Sequence, residues 1–315
     1  MLYSIHTFEL TGIETDEKYH RKKTTLARGL KVIGSDDRYD GTIRLIVNPS
    51  KLLGGDDLTL WKPTDKNIGK LVGKLEKHIN ENFDAGLNDF EITRCDFTAN
   101  INVGSQKRVA AYIKVLHAIG KVTGFRPKFS ERDYGNGIDR EGSFDLVHAD
   151  GVEFTVYNKW EQSRRVEATD ILRVEVRLRK RKAIRKYTRQ SGTAAQIAEL
   201  AGQSEKIFME TFSRVVPPGE YCTLKEAVQR IEPSVTKARQ REKMLRLVGL
   251  TRKDTLYAAL KELDDKNADR ILAKFAEINI SPVTLRKRYG VNRLNCLYVG
   301  KCLQYFNKFC LGCIR

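Results

Sequence analysis

From Arg94 to Val103 polar and apolar residues alternate without a break. In an extended strand successive side chains point to opposite faces. Cys95, Phe97, Ala99, Ile101 and Val103 therefore make one apolar face, and Arg94, Asp96, Thr98, Asn100 and Asn102 make a polar one. The segment is a strand that must bury one side against a core. Its other side carries an arginine, a carboxylate and amides.

Two later segments repeat the arrangement. In 171–179, Leu172, Val174, Val176 and Leu178 point inward while Arg173, Glu175, Arg177 and Arg179 share the other side. In 152–160, Val152, Phe154 and Val156 are apolar, opposite Glu153, Thr155, Tyr157 and Lys159. Further alternating segments lie near 2–10, 26–33, 41–48 and 143–149. Two amphipathic helices interrupt them. One spans about 67–83, with Ile68, Leu71, Val72, Leu75, Ile79 and Phe83 at helical spacing. The other starts at an N-cap Ser105 and carries Val109, Tyr112, Ile113, Leu116 and Ile119 on one side. The order predicts an α+β fold, a mainly antiparallel sheet with helices on one face.

Beyond about Lys180 the pattern becomes helical, broken by Pro217-Pro218-Gly219, Pro233 and Gly249. The chain divides on this reading into 1–190 and a helical C-terminal region, 191–315. Thr223 and Glu226 have capping-box spacing, and Ser234 is placed to cap a helix that Gly249 ends. A helix near 265–277, then a short basic one from Ser281-Pro282 to Gly290, has the layout of a helix-turn-helix presenting Arg286, Lys287 and Arg288 to DNA. The competing reading is two helices packed for structural reasons alone.

The formal net charge is +17. Such a surplus costs self-repulsion and points to a polyanionic partner. Arg173, Arg177, Arg179, Lys180, Arg181, Lys182, Arg185, Lys186 and Arg189 lie close together with Glu175 the only acid among them, which favours nucleic acid over a membrane surface. No apolar run approaches the ~18 residues of a membrane span, and the N-terminus lacks the layout of a signal peptide, so the expected address is the cytoplasm. Cys310-x-x-Cys313 is compatible with a zinc site shared with Cys296 and Cys302. Irregular spacing and the lack of a second CxxC favour reduced thiols.

If the three strands share a sheet, one surface gathers Asp96, Glu175, Tyr157, Lys159 and several arginines. It is either a solvated sheet face or a site. Guanidinium groups at this density suit phosphate, which they bind through two donors. A phenol with a pKa near 10 needs positive charge or a base to become a nucleophile, and Lys159 could supply that charge. Asp96 and Glu175 could hold a divalent cation.

The units Arg94-Cys95-Asp96, Tyr157-Asn158-Lys159 and Arg173-Val174-Glu175-Val176-Arg177 resemble, in order and spacing, those of the gene II/X family of phage and plasmid replication proteins, relatives of rolling-circle plasmid initiators. The upstream Ile46-Val47-Asn48-Pro49-Ser50-Lys51 is similar to the family's strand and Pro-x-Lys turn, and a fainter likeness runs to about residue 285. The resemblance implies a Rep nickase-like fold and a tyrosine DNA strand transferase. Tyr157 would be its nucleophile with Lys159 as helper, and Asp96 and Glu175 would hold Mg²⁺ or Mn²⁺. Arg94, Arg173, Arg177, Arg179, Arg181 and Lys182 would contact DNA. It further implies an origin duplex and displaced single strand as substrates, and a host helicase, single-strand-binding protein and polymerase as partners in the cytoplasm. A departure from the wider nickase group is the absence of a His-hydrophobe-His metal pair. His6, His20, His78, His117 and His148 are scattered; His6 falls on a strand and could reach the site, whereas His117 reads as structural. A conjugative relaxase or plasmid initiator of the same chemistry, and a non-catalytic DNA-binding regulator, are the alternatives.

Overall fold

The computed structural model describes residues 3–13, 19, 22–35, 41–129, 142–263 and 268–298. The fold is α+β with a large, mainly antiparallel sheet. Its strands are β1 (Ser4–Ile13), β2 (Lys23–Ala27), β3 (Leu30–Gly34), β4 (Thr42–Val47), β5 (Glu91–Asn102), β6 (Phe125–Pro127), β7 (Ser143–His148), β8 (Val152–Asn158) and β9 (Ile171–Leu178). They hydrogen-bond in the order β2-β3-β4-β1-β5-β9-β8-β7-β6. The helices are α1 (Pro49–Leu52), α2 (Asp65–Asn82), α3 (Gln106–Ile119), α4 (Lys159–Ser163), α5 (Arg181–Arg185), α6 (Thr193–Gly202), α7 (Ser204–Val215), α8 (Leu224–Ser234), α9 (Ala238–Leu250), α10 (Leu256–Leu263) and α11 (Ala268–Glu277). No helix among the described residues is long and apolar enough to cross a membrane.

The chain forms two compact units whose boundaries fall inside strands. One comprises Met1–Asn100, Ala149–Glu153 and Glu175–Phe208; the other comprises Ile101–His148, Phe154–Val174 and Met209–Arg315.

In the first unit β1 lies between β4 and β5, antiparallel to both, with Phe8 opposite Val47 and Cys95. The segment expected as one strand over 26–33 is instead a hairpin. β2 and β3 pair around Arg28-Gly29, where Gly29 has φ +90°. Alternation persists across a tight turn, so pattern alone merges the arms. Phe8, Leu10, Leu30, Leu45, Val47, Cys95 and Phe97 are fully buried or nearly so. Thr64 caps α2 by accepting from the Asn67 amide at 3.3 Å, and Leu71, Leu75 and Ile79 form its buried stripe at four-residue spacing. Each such side chain contributes about 1.5–3 kcal/mol when fully buried. The Trp61 indole donates to the Ile5 carbonyl at 2.8 Å and the Ser4 hydroxyl to the Trp61 carbonyl at 2.6 Å, fixing the loop before α2 on β1.

In the second unit Ser105 caps α3 as expected, accepting from the Arg108 amide at 3.3 Å. Val109, Tyr112, Ile113, Leu116 and Ile119 are buried, together with Ala111 and Val115, so the apolar face is wider than one stripe. The His117 Nε2 meets the Ser143 carbonyl at 2.8 Å, consistent with a structural role. Thr223 caps α8, accepting from the Glu226 amide at 3.3 Å. Ser234 does not open a helix: it is the last residue of α8, and α9 runs past Gly249 to Leu250.

The expected basic helix over 281–290 is also absent. Ile280 and Leu285 form parallel bridges with Glu220 and Thr223, and only a 3₁₀ turn, Lys287–Tyr289, is helical. Pro282 has no amide proton, and the β-branched Val283 and Thr284 favour extended backbone. Gly219, at φ +103°, lets this segment approach, since a Cβ there would stand 2.4 Å from the Ile280 carbonyl carbon. The helix-turn-helix expectation is therefore overturned. Of the four tail cysteines, Cys296 accepts a bond from the Gly219 amide at 3.2 Å; Cys302, Cys310 and Cys313 lie outside the described residues.

Gly29→Ala tests the β2–β3 turn. A Cβ there would meet the Leu52 amide nitrogen at 2.6 Å and the Asn48 carbonyl oxygen at 2.8 Å, both backbone atoms. With the positive φ, the expected cost is about 1–3 kcal/mol, read as a lower denaturation midpoint at unchanged slope.

Candidate nucleic-acid interface and nucleophile

The R-x-D and E-x-R units become same-strand ion pairs, because residues two apart on a strand lie on one face. On β5 the Arg94 Nε donates to Asp96 Oδ1 at 2.8 Å and its Nη2 to Oδ2 at 2.5 Å, a two-pronged fork. On β9 the Arg177 Nε and Nη2 both reach Glu175 Oε2, at 3.0 and 2.5 Å. Arg177 joins the pairs: its Nε lies 3.9 Å from Asp96 Oδ2 and its Nη1 3.8 Å from Glu153 Oε2. Arg179 closes the array through Glu153 Oε1 at 3.0 Å. All six residues belong to the first unit.

Depth gives this array its character. Asp96, Glu175 and Glu153 are 2%, 3% and 8% exposed. The arginines reach outward, with side-chain exposures of 26% for Arg94, 19% for Arg177 and 44% for Arg179. Three guanidinium groups neutralise three carboxylates. Removing one partner of a buried pair costs about 3–5 kcal/mol because a charge is stranded. Burial, and next to it the Glu175 carboxylate, hold the Asp96 carboxyl above the usual carboxylate range despite the opposing pull of Arg94 and Arg177. Burial works to lower the Arg94 value, but the hydrogen bond and charge of Asp96 outweigh it and the net shift is upward.

A divalent cation does not fit this arrangement at Asp96 and Glu175. Both oxygens of Asp96 accept from Arg94, Glu175 Oε2 is taken twice by Arg177, and the local charge already balances. Among the described residues no group of three or more His, Cys, Asp or Glu side chains stands in metal-binding arrangement. His6 faces Thr7 Oγ1 at 3.0 Å through Nδ1 and Asn48 Nδ2 at 3.5 Å through Nε2, so neighbouring polar groups hold both ring nitrogens.

The basic run continues beyond the array. Arg181 and Arg185 both reach Glu91, at 2.9 and 3.4 Å, and Lys182 reaches Asp150 at 2.8 Å. A polar groove of about 580 Å³ opens beside it, with Glu91, Arg181, Arg185, Arg189, Gln190 and Gln196 in its wall. Arg179, Arg181, Lys182, Arg185 and Arg189 are exposed. The acids Glu91 and Asp150 were not marked by the sequence pattern, because they lie far along the chain from the arginines they meet.

Tyr157 belongs to the second unit, half-buried near the end of β8. The strand expected over 152–160 stops at Asn158, which caps α4 by accepting from the Trp160 amide at 3.1 Å. The Asn158 amide also donates to Gln106 Oε1 at 2.6 Å and Glu161 Oε1 at 3.0 Å. Lys159, expected beside Tyr157 on the strand's polar side, is instead the first residue of α4, 1% exposed, with Nζ donating to Gln162 Oε1 at 2.5 Å. Arg173, expected on an open face, is 0% exposed. β9 is closed to solvent on both sides from Leu172 to Val176. A further buried acid, Asp145, accepts from Thr155 at 2.8 Å and Ser143 at 2.5 Å; its single position in the short β7 gave no repeated signal.

The raised Asp96 value fixes a sign. A carboxyl that holds its proton more tightly when folded adds stability below its unfolded pKa, and loses that contribution as pH rises through the folded one. Asn cannot titrate. The stability of wild type relative to Asp96→Asn should therefore fall as pH rises from roughly 3 to 7, upward of the unfolded Asp value of about 3.9, in urea melts at each pH. A difference that grows with pH would show an ordinary ion-pair carboxylate.

No family model and no curated protein matches this chain. Among solved structures it is similar to the rolling circle replication initiator protein from Geobacillus stearothermophilus, over 90% of this chain and 98% of that one, at 12% identity and a TM-score of 0.36. At that similarity no residue roles transfer.

Proposed function

We propose that this chain initiates rolling-circle replication by nicking one strand of an origin duplex and keeping the new 5′ phosphate on Tyr157. The observation that carries the reading is the exposed run of Arg179, Arg181, Lys182, Arg185 and Arg189 beside the polar groove of the first unit, a surface that suits a phosphate backbone.

The reaction exchanges one phosphodiester for another. The Tyr157 oxygen bonds to phosphorus as the bond from phosphorus to the 3′ oxygen breaks, and the phenol's proton is transferred, in net terms, to that 3′ oxygen. The products are a 5′-phosphotyrosine and a free 3′-OH for polymerase. The reverse attack by a 3′-OH rejoins the strand and restores the phenol. Lys159 serves this reading by holding the first turn of α4, and so the strand end that carries Tyr157. No step is assigned to a metal ion.

Tyr157→Phe, incubated beside wild type with supercoiled origin DNA in Mg²⁺ and again in EDTA, is the decisive test. Wild type should give open circles carrying protein on the 5′ end and the variant none. Equal nicking by both would remove Tyr157 as nucleophile, and nicking by neither, with DNA bound, would favour a regulator. A second measurement addresses the exposed run. Neutralising Arg179, Arg181 and Lys182 together should flatten the slope of log affinity against log salt, by about 0.9 for each duplex phosphate that is no longer neutralised. An unchanged slope would show that the run does not bind DNA.

A further inference from the structure

A second basic cleft, of about 560 Å³, lies wholly within the second unit. Three separate segments build it. α3 contributes Lys114 and His117, the turn between α9 and α10 contributes Lys253 and Asp254, and the 3₁₀ segment after α11 contributes Arg286 and Arg288. None of these belongs to the carboxylate-arginine array or to the strand that carries Tyr157.

The charge here is arranged differently from that of the first unit. Among the described residues Lys253, Arg286 and Arg288 face one carboxylate, and Asp254 spends an oxygen on its own chain, accepting from the Thr255 amide at 2.6 Å. Among the described residues neither Lys253 nor Arg288 has a carboxylate partner. Arg286 is steadied by the Thr251 carbonyl at 3.5 Å, and Arg288 lies 5.9 Å from the Tyr289 ring centre. His117, locked through Nε2 to Ser143 and edge-on to Phe144, forms a fixed wall. Clustered cations with so little counter-charge repel one another, which favours an anion among them. The volume falls within the ~300–1,000 Å³ of small-molecule sites. It is enough for a nucleotide or a short turn of phosphodiester backbone.

We infer that this cleft is a binding site for a phosphate group, held by Lys253, Arg286 and Arg288 against the α3 wall. The phosphate belongs either to a free nucleotide or to a nucleic-acid backbone, and both present the same dianionic or monoanionic oxygens to the guanidinium forks.

His117 provides a local reporter. Its imidazole resonances would be followed by NMR in the full chain during titration with inorganic phosphate, a nucleoside triphosphate and a single-stranded oligonucleotide. The same titrations would be run on a Lys253→Gln, Arg288→Gln variant. A saturable shift with phosphate and triphosphate, weakened at least tenfold in the variant, assigns a nucleotide. A shift with the oligonucleotide alone, equally weakened, assigns a backbone. No shift with any probe, or shifts unchanged in the variant, would overturn the site. Both substituted residues are exposed. Should the pair nevertheless lose helical signal, Lys253→Gln alone repeats the test. Nicking measured on the same variants separates the two readings, because the cleft can fail while Tyr157 still cleaves.

Discussion

Guanidinium forks on buried carboxylates are the interaction on which the first unit's polar face depends. A carboxylate 2–3% exposed has lost its water, and it must be protonated, paired or expelled. Asp96 and Glu175 meet this requirement through Arg94 and Arg177, each two residues away on the same strand. That solution holds only while the strands keep their register. Thr7 stands opposite Asp96 and Glu9 opposite Arg94 in the β1–β5 ladder. A slip of one residue would turn Asp96 into the core and Phe97 out of it. Ladder and ion pairs therefore specify each other.

Much of this was legible in the sequence. The alternation in 94–103 and 171–178 gave β5 and β9 their faces, but the two-residue spacing of unlike charges, read as cation-holding carboxylates beside phosphate-binding arginines, forms same-strand ion pairs. What failed had identifiable causes. A hairpin preserves alternation through its turn, so β2 and β3 read as one strand. Asn158, a cap as well as a polar strand residue, ended β8 early and moved Lys159 from an open face into a buried helical turn. Ser281-Pro282 looks like a helix start, but the long-range partners at Glu220 and Thr223 drew that segment into extended backbone. Arg173 could not be read as buried, because periodicity tells which side a residue takes and not what lies over that side.

The two units handle positive charge in contrasting ways. In the first, Glu153, Glu91 and Asp150 meet the run from Arg177 to Arg185, the first two acids each shared between two arginines. In the second, the cleft beside α3 keeps its cations together with little counter-charge. The net charge of the chain does not distinguish these cases. Their difference arises from acids that are distant in sequence and adjacent in the fold.

The internal pairing of the first unit's arginines carries a kinetic consequence. A phosphate arriving at Arg179 or Arg181 does not meet a bare cation; it competes with a tethered carboxylate whose effective concentration is independent of the solution. Stray polyanions that offer one or two charges lose that competition. A strand presenting several phosphates at once, in the right geometry, can displace several carboxylates together. On the function proposed above, the carboxylates would set a threshold of valency for the anions that bind this run.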